Sequence, residues 1–187
     1  MPVVQANNIE IYYEVQGEGE PLVLIPYLAA DQACYAFQVA DYARHFTCYT
    51  VDLRGAGLSG KPDGVYTTEL FAADIAEFMQ AVGITSAHVS GLSLGASVGT
   101  WLAAKYPSLV KSLSLHSAWT ATDPYLRVVV EGWRTMAKAL DSVTDMVWPS
   151  GEKAGALLEP RKLATSRCER CWRFCTTTMA LRLAKVT

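Results

Sequence analysis

The segment Gly91-Leu92-Ser93-Leu94-Gly95 sets a serine between two glycines, each two residues away. It follows the apolar run Ala87–Val89 and opens an alanine-rich stretch reaching Tyr106, so the pattern predicts a tight turn from strand to helix. A turn that sharp needs small residues on both flanks, because the two backbones approach closely. It raises the serine oxygen above the end of a sheet. The next backbone N–H, that of Leu94, then faces the oxyanion that forms when the serine attacks a carbonyl carbon. A serine so placed is the nucleophile of acyl transfer once a base accepts its proton.

The sequence holds three histidines as candidate bases. His45 precedes a strand and belongs to the end of the sheet away from the serine. His88 lies five residues before Ser93 on the same strand, about 16 Å below it at ~3.3 Å per residue. His116 ends the run Leu109–His116, on the strand expected beside the one that carries Ser93, and is therefore the candidate base. Asp123 follows closely enough to be its orienting acid. Each has a structural alternative: His116 as a satisfied residue ending a buried strand, and Asp123, just before Pro124, as a helix cap.

These groups need a scaffold, and the hydrophobic pattern supplies one. Ile9–Val15 alternates with period two, and a Gly/Glu/Pro turn ends it. Leu22–Ile25 and Thr47–Val51 are short apolar runs of the kind buried on both faces of a parallel sheet. Cys34–Arg44 reads as a helix between them. Thr67–Val82 carries Leu70, Ile75, Phe78, Met79 and Val82 at three- and four-residue spacings, an amphipathic helix. A further helix is predicted over Pro124–Leu140. The order is βαβαβαβ behind an N-terminal antiparallel pair, which predicts an α/β fold with a doubly wound, mostly parallel sheet. In such sheets sites lie at the carboxyl ends of the strands, where Ser93 and His116 fall.

With the elbow in place, Asp52-Leu53-Arg54-Gly55-Ala56-Gly57-Leu58-Ser59 resembles the D-x-R-G-x-G-x-S loop of the α/β-hydrolases. Tyr106-Pro107-Ser108-Leu109-Val110 resembles that family's link into its sixth strand. The resemblance covers residues 9 to about 140 and is nearest to the esterase and 3-oxoadipate enol-lactonase branch. It implies a serine hydrolase of carboxylic esters or lactones, with no cofactor and no metal. It also implies an oxyanion hole formed by the backbone N–H groups of Leu94 and Leu28. Relatives carry His-Gly where this chain has Pro26-Tyr27, so Tyr27 either alters that hole or lines the pocket. Asp52 and Arg54 read as structural residues of their loop. The family takes its acid and base from after two further strands, which do not appear here; the expected fold is an incomplete α/β-hydrolase lacking its last two strands. The alternative is a non-catalytic remnant of the fold acting as a binding or self-associating module.

Composition bounds the rest. The chain has 187 residues, 51% hydrophobic and 18% charged, with a net charge of −2, which fits a globular protein and argues against nucleic acid as a partner. Its longest near-apolar stretch, Pro21–Ala30, is about half of the roughly 20 residues a membrane span needs. The N-terminus lacks the apolar region of a signal peptide, so the chain reads as cytoplasmic and soluble. Through Val147 there are 8 basic and 15 acidic residues; from Trp148 there are 8 and 3. The expected organisation is a core over 1–120, partial cap helices over 121–147 and a basic, cysteine-bearing tail over 148–187. The break reads as the mark of a frameshift or a truncation. Cys168, Cys171 and Cys175 lack the fourth ligand of a structural zinc site, and the tail's Arg and aromatic residues suit a plain or anion-binding surface. The uncovered edge of the sixth strand predicts a homodimer.

Overall fold

The computed structural model describes residues 2–119, 121, 123–139 and 184–185. The chain divides into two compact units, Met1–Thr120 with Leu183–Thr187, and Ala121–Arg182. In the first, strands β1 (Val3–Ala6), β2 (Ile9–Gln16), β3 (Glu20–Ile25), β4 (Phe46–Val51), β5 (Ala87–Leu92), β6 (Val110–His116) and β7 (Ala184–Lys185) form one sheet ordered β1-β2-β4-β3-β5-β6-β7. The central strands β4, β3, β5 and β6 run parallel, while β1, β2 and β7 pair antiparallel with their neighbours. Helices α1 (Ala36–Tyr42), α2 (Thr68–Ala81) and α3 (Leu94–Lys105) connect the parallel strands. Helix α4 (Pro124–Ala139) belongs to the second unit. Cys168, Cys171, Cys175 and the tail arginines lie outside the described residues.

Strand β3 shows why an unbroken apolar run belongs at the centre. Val23 and Ile25 enter the larger core with Ile75, Phe78, Met79, Val98 and Leu102 of α2 and α3. Leu22 and Leu24, pointing the other way, join Val39 of α1 and Cys48 in a smaller one. Helices thus cover both faces of this strand, and alternation gives way to continuous hydrophobicity. The expected helix over Cys34–Arg44 resolves into a 3₁₀ turn, Gln32–Tyr35, followed by α1. The expected start of α2 is fixed by Thr67, whose hydroxyl accepts from the Leu70 N–H at 3.1 Å as an N-cap.

The Asp52–Ser59 loop after β4 is anchored beneath its surface. Arg54 Nε donates to Asp74 Oδ2 at 2.8 Å and its Nη2 to Asp74 Oδ1, with the two side chains 9% and 1% exposed. Asn7 Nδ2 donates to the same Asp74 Oδ1 at 2.7 Å, and Arg54 Nη2 also reaches the Asn7 carbonyl at 3.0 Å. Asn7 and Asn8 have φ of 47° and 62°, the two-residue hairpin turn between β1 and β2. One buried cluster therefore joins hairpin, loop and α2, which is the structural role read for Arg54.

At the amino ends of β3, β5 and β6, Glu20 receives Lys111 Nζ at 2.9 Å and meets His88 Nε2 at 2.8 Å. His88 Nδ1 lies 2.7 Å from Ser112 Oγ, which removes this histidine from the serine's end of the sheet. The hydrogen bonds from Lys111 and His88 pull the Glu20 carboxyl down to about 2. Its folded value lies below its unfolded one, so its stabilising contribution is full above about pH 4.5 and is lost as pH falls through 2. The expected result is that Glu20→Gln is less stable than the parent at pH 6 and that the gap closes between pH 4.5 and 2, read by urea denaturation. A pH-independent gap would contradict this assignment.

Strand β7 pairs only Ala184 and Lys185 with Leu113 and Ser112. It is a two-residue cover on the edge expected to be bare, and it does not replace the two closing strands.

Candidate active site

Ser93 has φ 55° and ψ −111°, a conformation that L-residues rarely adopt and that costs on the order of 1–3 kcal/mol. The surroundings impose it. The Ser93 N–H donates to the His116 carbonyl at 2.8 Å, and its own carbonyl accepts from Ala96 N at 3.0 Å and Ser97 N at 3.3 Å. A Cβ on Gly91 would stand 2.1 Å from the Gly95 carbonyl oxygen, and one on Gly95 would stand 2.1 Å from that of Ile25. Glycine is required at both places because backbone meets backbone. The turn is therefore the strained strand-to-helix elbow that the spacing predicted, with the half-buried serine at its apex.

Strain is concentrated around it. Among the described residues, five non-glycine positions have positive φ; two are the hairpin asparagines, and the others are Ala29, Ser93 and Ser117. Those three follow β3, β5 and β6, strands adjacent in the sheet, at their carboxyl ends. Strained residues persist only where the surrounding structure over-determines them, and they cluster at functional sites, which in such sheets lie at this end. Two large apolar side chains are partly exposed on the same loops, Leu28 at 41% and Trp119 at 37%.

The loop after β3, where Tyr27 was expected either to alter the hole or to line the pocket, has a defined turn. The Ala30 N–H donates to the Tyr27 carbonyl at 3.2 Å, closing a four-residue turn whose third residue, Ala29, has φ 62°. This is a type II arrangement, in which the third position, not the first, demands a left-handed backbone. Tyr27 has no positive φ and needs no glycine; it is half-buried beside the site. Gly95 closely approaches the Ile25 and Pro26 carbonyls, so the elbow abuts the start of this loop. The loop is fastened from below by Asp52, 2% exposed, whose Oδ1 accepts from Gln32 N and whose Oδ2 accepts from Leu58 N, both at 2.7 Å. Burial pushes the Asp52 carboxyl up, and those two amide bonds draw it back.

His116 pairs with Leu92 across β5 and β6 and its carbonyl accepts the Ser93 N–H, so its backbone, not its ring, borders the elbow. Its Nε2 lies 3.0 Å from Ser114 Oγ and 3.0 Å from Ser90 Oγ. Burial lowers its pKa, which keeps the ring neutral and able to accept a proton near pH 7. Among the described residues, its ring bonds run to Ser90 and Ser114. The sequence reading missed these two hydroxyls, although Ser112-x-Ser114-x-His116 spells one strand face at period two. Asp123 lies in the second unit, where its Oδ1 accepts from Leu126 N at 2.7 Å and its carbonyl from Arg127 N at 3.0 Å. It caps α4, as the structural alternative for this residue predicted.

The profile of the alpha/beta hydrolase fold family matches residues 20–163, and the chain belongs to that family. The RutD protein of Azorhizobium caulinodans, provisionally assigned as a carbamate hydrolase, is 30% identical over 127 residues, which cover 68% of this chain and 48% of that protein. N-formylmaleamate deformylase of Pseudomonas putida is 38% identical over 95 residues, 50% of this chain and 35% of that one. Among solved structures, the enol-lactonase of Burkholderia xenovorans superposes with a TM-score of 0.64 at 29% identity, covering 87% of this chain and 65% of its own. The chain spans about half the length of the curated relatives it matches. Among the described residues no helix is long and apolar enough to cross a membrane.

Proposed function

We propose that the protein is a serine hydrolase of carboxylic esters and lactones, working through an acyl-enzyme on Ser93. The observation that carries the reading is the backbone of Ser93, held at φ 55° between glycines that nothing larger can replace. The Ser93 hydroxyl oxygen bonds to the substrate's carbonyl carbon and gives its proton to the His116 imidazole, which turns away from Ser90 and Ser114 to take it. The carbonyl electron pair moves onto oxygen and is received by the N–H groups of Leu94 and Leu28. Collapse breaks the bond to the leaving oxygen, which departs with the imidazole's proton. Water then repeats the sequence and frees the acid. A deformylase and an enol-lactonase among the similar proteins support hydrolysis of a carboxyl derivative and make amides the second substrate class to assay.

The test is hydrolysis of p-nitrophenyl acetate and butyrate by the parent chain and by Ser93→Ala, His116→Ala and Asp123→Asn. Ser93→Ala is expected to abolish turnover, and undiminished activity in that variant would sink the proposal. Loss with Ser93→Ala but not with His116→Ala would keep the nucleophile and reject the base; Asp123→Asn judges the acid in the same way. With His116 as base, the acid limb of kcat/KM lies below pH 6.5, because burial lowers its pKa.

The engagement of His116 Nε2 by two serine hydroxyls favours a second reading, a binding or self-associating module that turns nothing over. A parent chain no faster than Ser93→Ala, eluting as a dimer in gel filtration, would be its signature.

A further inference from the structure

The loop that carries Leu28 is pinned at both ends by buried side chains. At its start, the Tyr35 hydroxyl donates to the carbonyl of Ile25, the last residue of β3, at 2.8 Å. At its end, Asp52 Oδ1 accepts from the Gln32 N–H at 2.7 Å. Tyr35 and Asp52 are 5% and 2% exposed, so neither bond competes with bulk water. Asp31 adds a third fastening, its Oδ1 accepting from Ala33 N at 3.0 Å. Between the pins the chain makes one turn, closed by the 3.2 Å bond from Ala30 N to Tyr27 O, with Ala29 held left-handed. An alanine in that conformation reverts to an extended backbone when its neighbours allow it. The turn is therefore held by its anchors as well as by its own residues.

We propose that Asp52 and Tyr35 are positioning residues of the oxyanion hole, holding the Tyr27–Ala30 turn so that the Leu28 N–H faces the carbonyl oxygen bound at Ser93. The proposal rests on the reading of Ser93 as nucleophile and adds to it which groups set the second donor. Asp52 is suited to this because its two oxygens serve two loops at once. Oδ2 takes the Leu58 N–H at 2.7 Å, so the loop after β4 and the loop after β3 share one buried anion. Asparagine can keep only one of the two bonds, since its amide nitrogen would face an N–H. An oxyanion donor acts mainly in the transition state, so its displacement shows in kcat and leaves KM nearly unchanged.

The experiment measures kcat and KM for p-nitrophenyl butyrate, with folded fraction by circular dichroism, on the parent chain, Ser93→Ala, Asp52→Asn and Tyr35→Phe. Tyr35→Phe removes one hydroxyl and keeps the ring, so it reports on positioning even where Asp52→Asn unfolds the chain. The expected result is a fall in kcat of about 10- to 100-fold per folded molecule in either variant, with KM within about twofold, since outright loss of one oxyanion donor costs ~10²–10³ in kcat. A fall only in proportion to lost folded protein, or a rise in KM at constant kcat, overturns the positioning role and leaves Ser93 standing. Turnover that survives Ser93→Ala overturns both.

Discussion

Gly95→Ala is expected to remove hydrolysis as completely as Ser93→Ala, and to destabilise the fold as well. The new methyl would stand 2.1 Å from the Ile25 carbonyl oxygen and 2.8 Å from that of Pro26, both backbone atoms at the end of the innermost strand. No rotamer change can clear that overlap, so either α3 retreats from β3 or the loop after β3 moves outward. Overpacking of this kind costs about 1–3 kcal/mol, and more where backbone must shift. Either movement separates the Leu94 N–H from the loop that carries Leu28, the two donors proposed for the oxyanion. The check is paired: urea denaturation for stability, and ester hydrolysis at a temperature where the variant is still folded. A folded Gly95→Ala with parental kcat would show that the close approach of elbow and loop is irrelevant to catalysis.

The second large effect lies away from the serine. Arg54→Met or Asp74→Asn leaves one charge of a buried pair without its partner, and such half-removals cost about 3–5 kcal/mol. That is a large part of a domain's typical stability of about 5–15 kcal/mol, so either variant is expected to be soluble only at low temperature or to unfold. Arg54→Met with Asp74→Leu, which replaces both charges by apolar groups, should recover much of the loss, because no buried charge is then left unpaired. Asn7 would still lose its carboxylate acceptor, which bounds the recovery. Denaturation midpoints of the three variants decide the matter; equal losses in the single and double variants would mean that packing, not charge, is at stake.

The fold was legible where one physical signal dominated. Leu22–Ile25 has no polar residue to spoil a strand buried on two faces, and Thr67 before an amphipathic run marks a helix start. The elbow was legible because glycine spacing reports directly on backbone clearance, and the clearances are there. Strand β1 was not delimited, since Val3–Ala6 is four residues long, buries only Ala6, and is defined by its partner rather than by periodicity. The loop after β3 was legible only as two alternatives at Tyr27, an altered hole or a pocket-lining residue; the left-handed residue is Ala29, in a loop fastened by anchors 20 and 10 residues distant from the residues they bind. Tertiary hydrogen bonds of that span leave no local trace. The same holds for Ser90, which meets His116 across 26 residues of chain.

The tie between the Ser93 N–H and the His116 carbonyl has a consequence for selection. It fixes a serine where glycine would sit without strain, so replacement by glycine would relieve backbone energy and abolish the hydroxyl in the same event. A lineage or a laboratory library rewarded for robustness alone would drift toward glycine at this apex, and the retained serine is the residue such pressure would discard first. Ala29 and Ser117, left-handed at the neighbouring strand ends, lie under the same pressure, so relaxation would begin at this one end of the sheet.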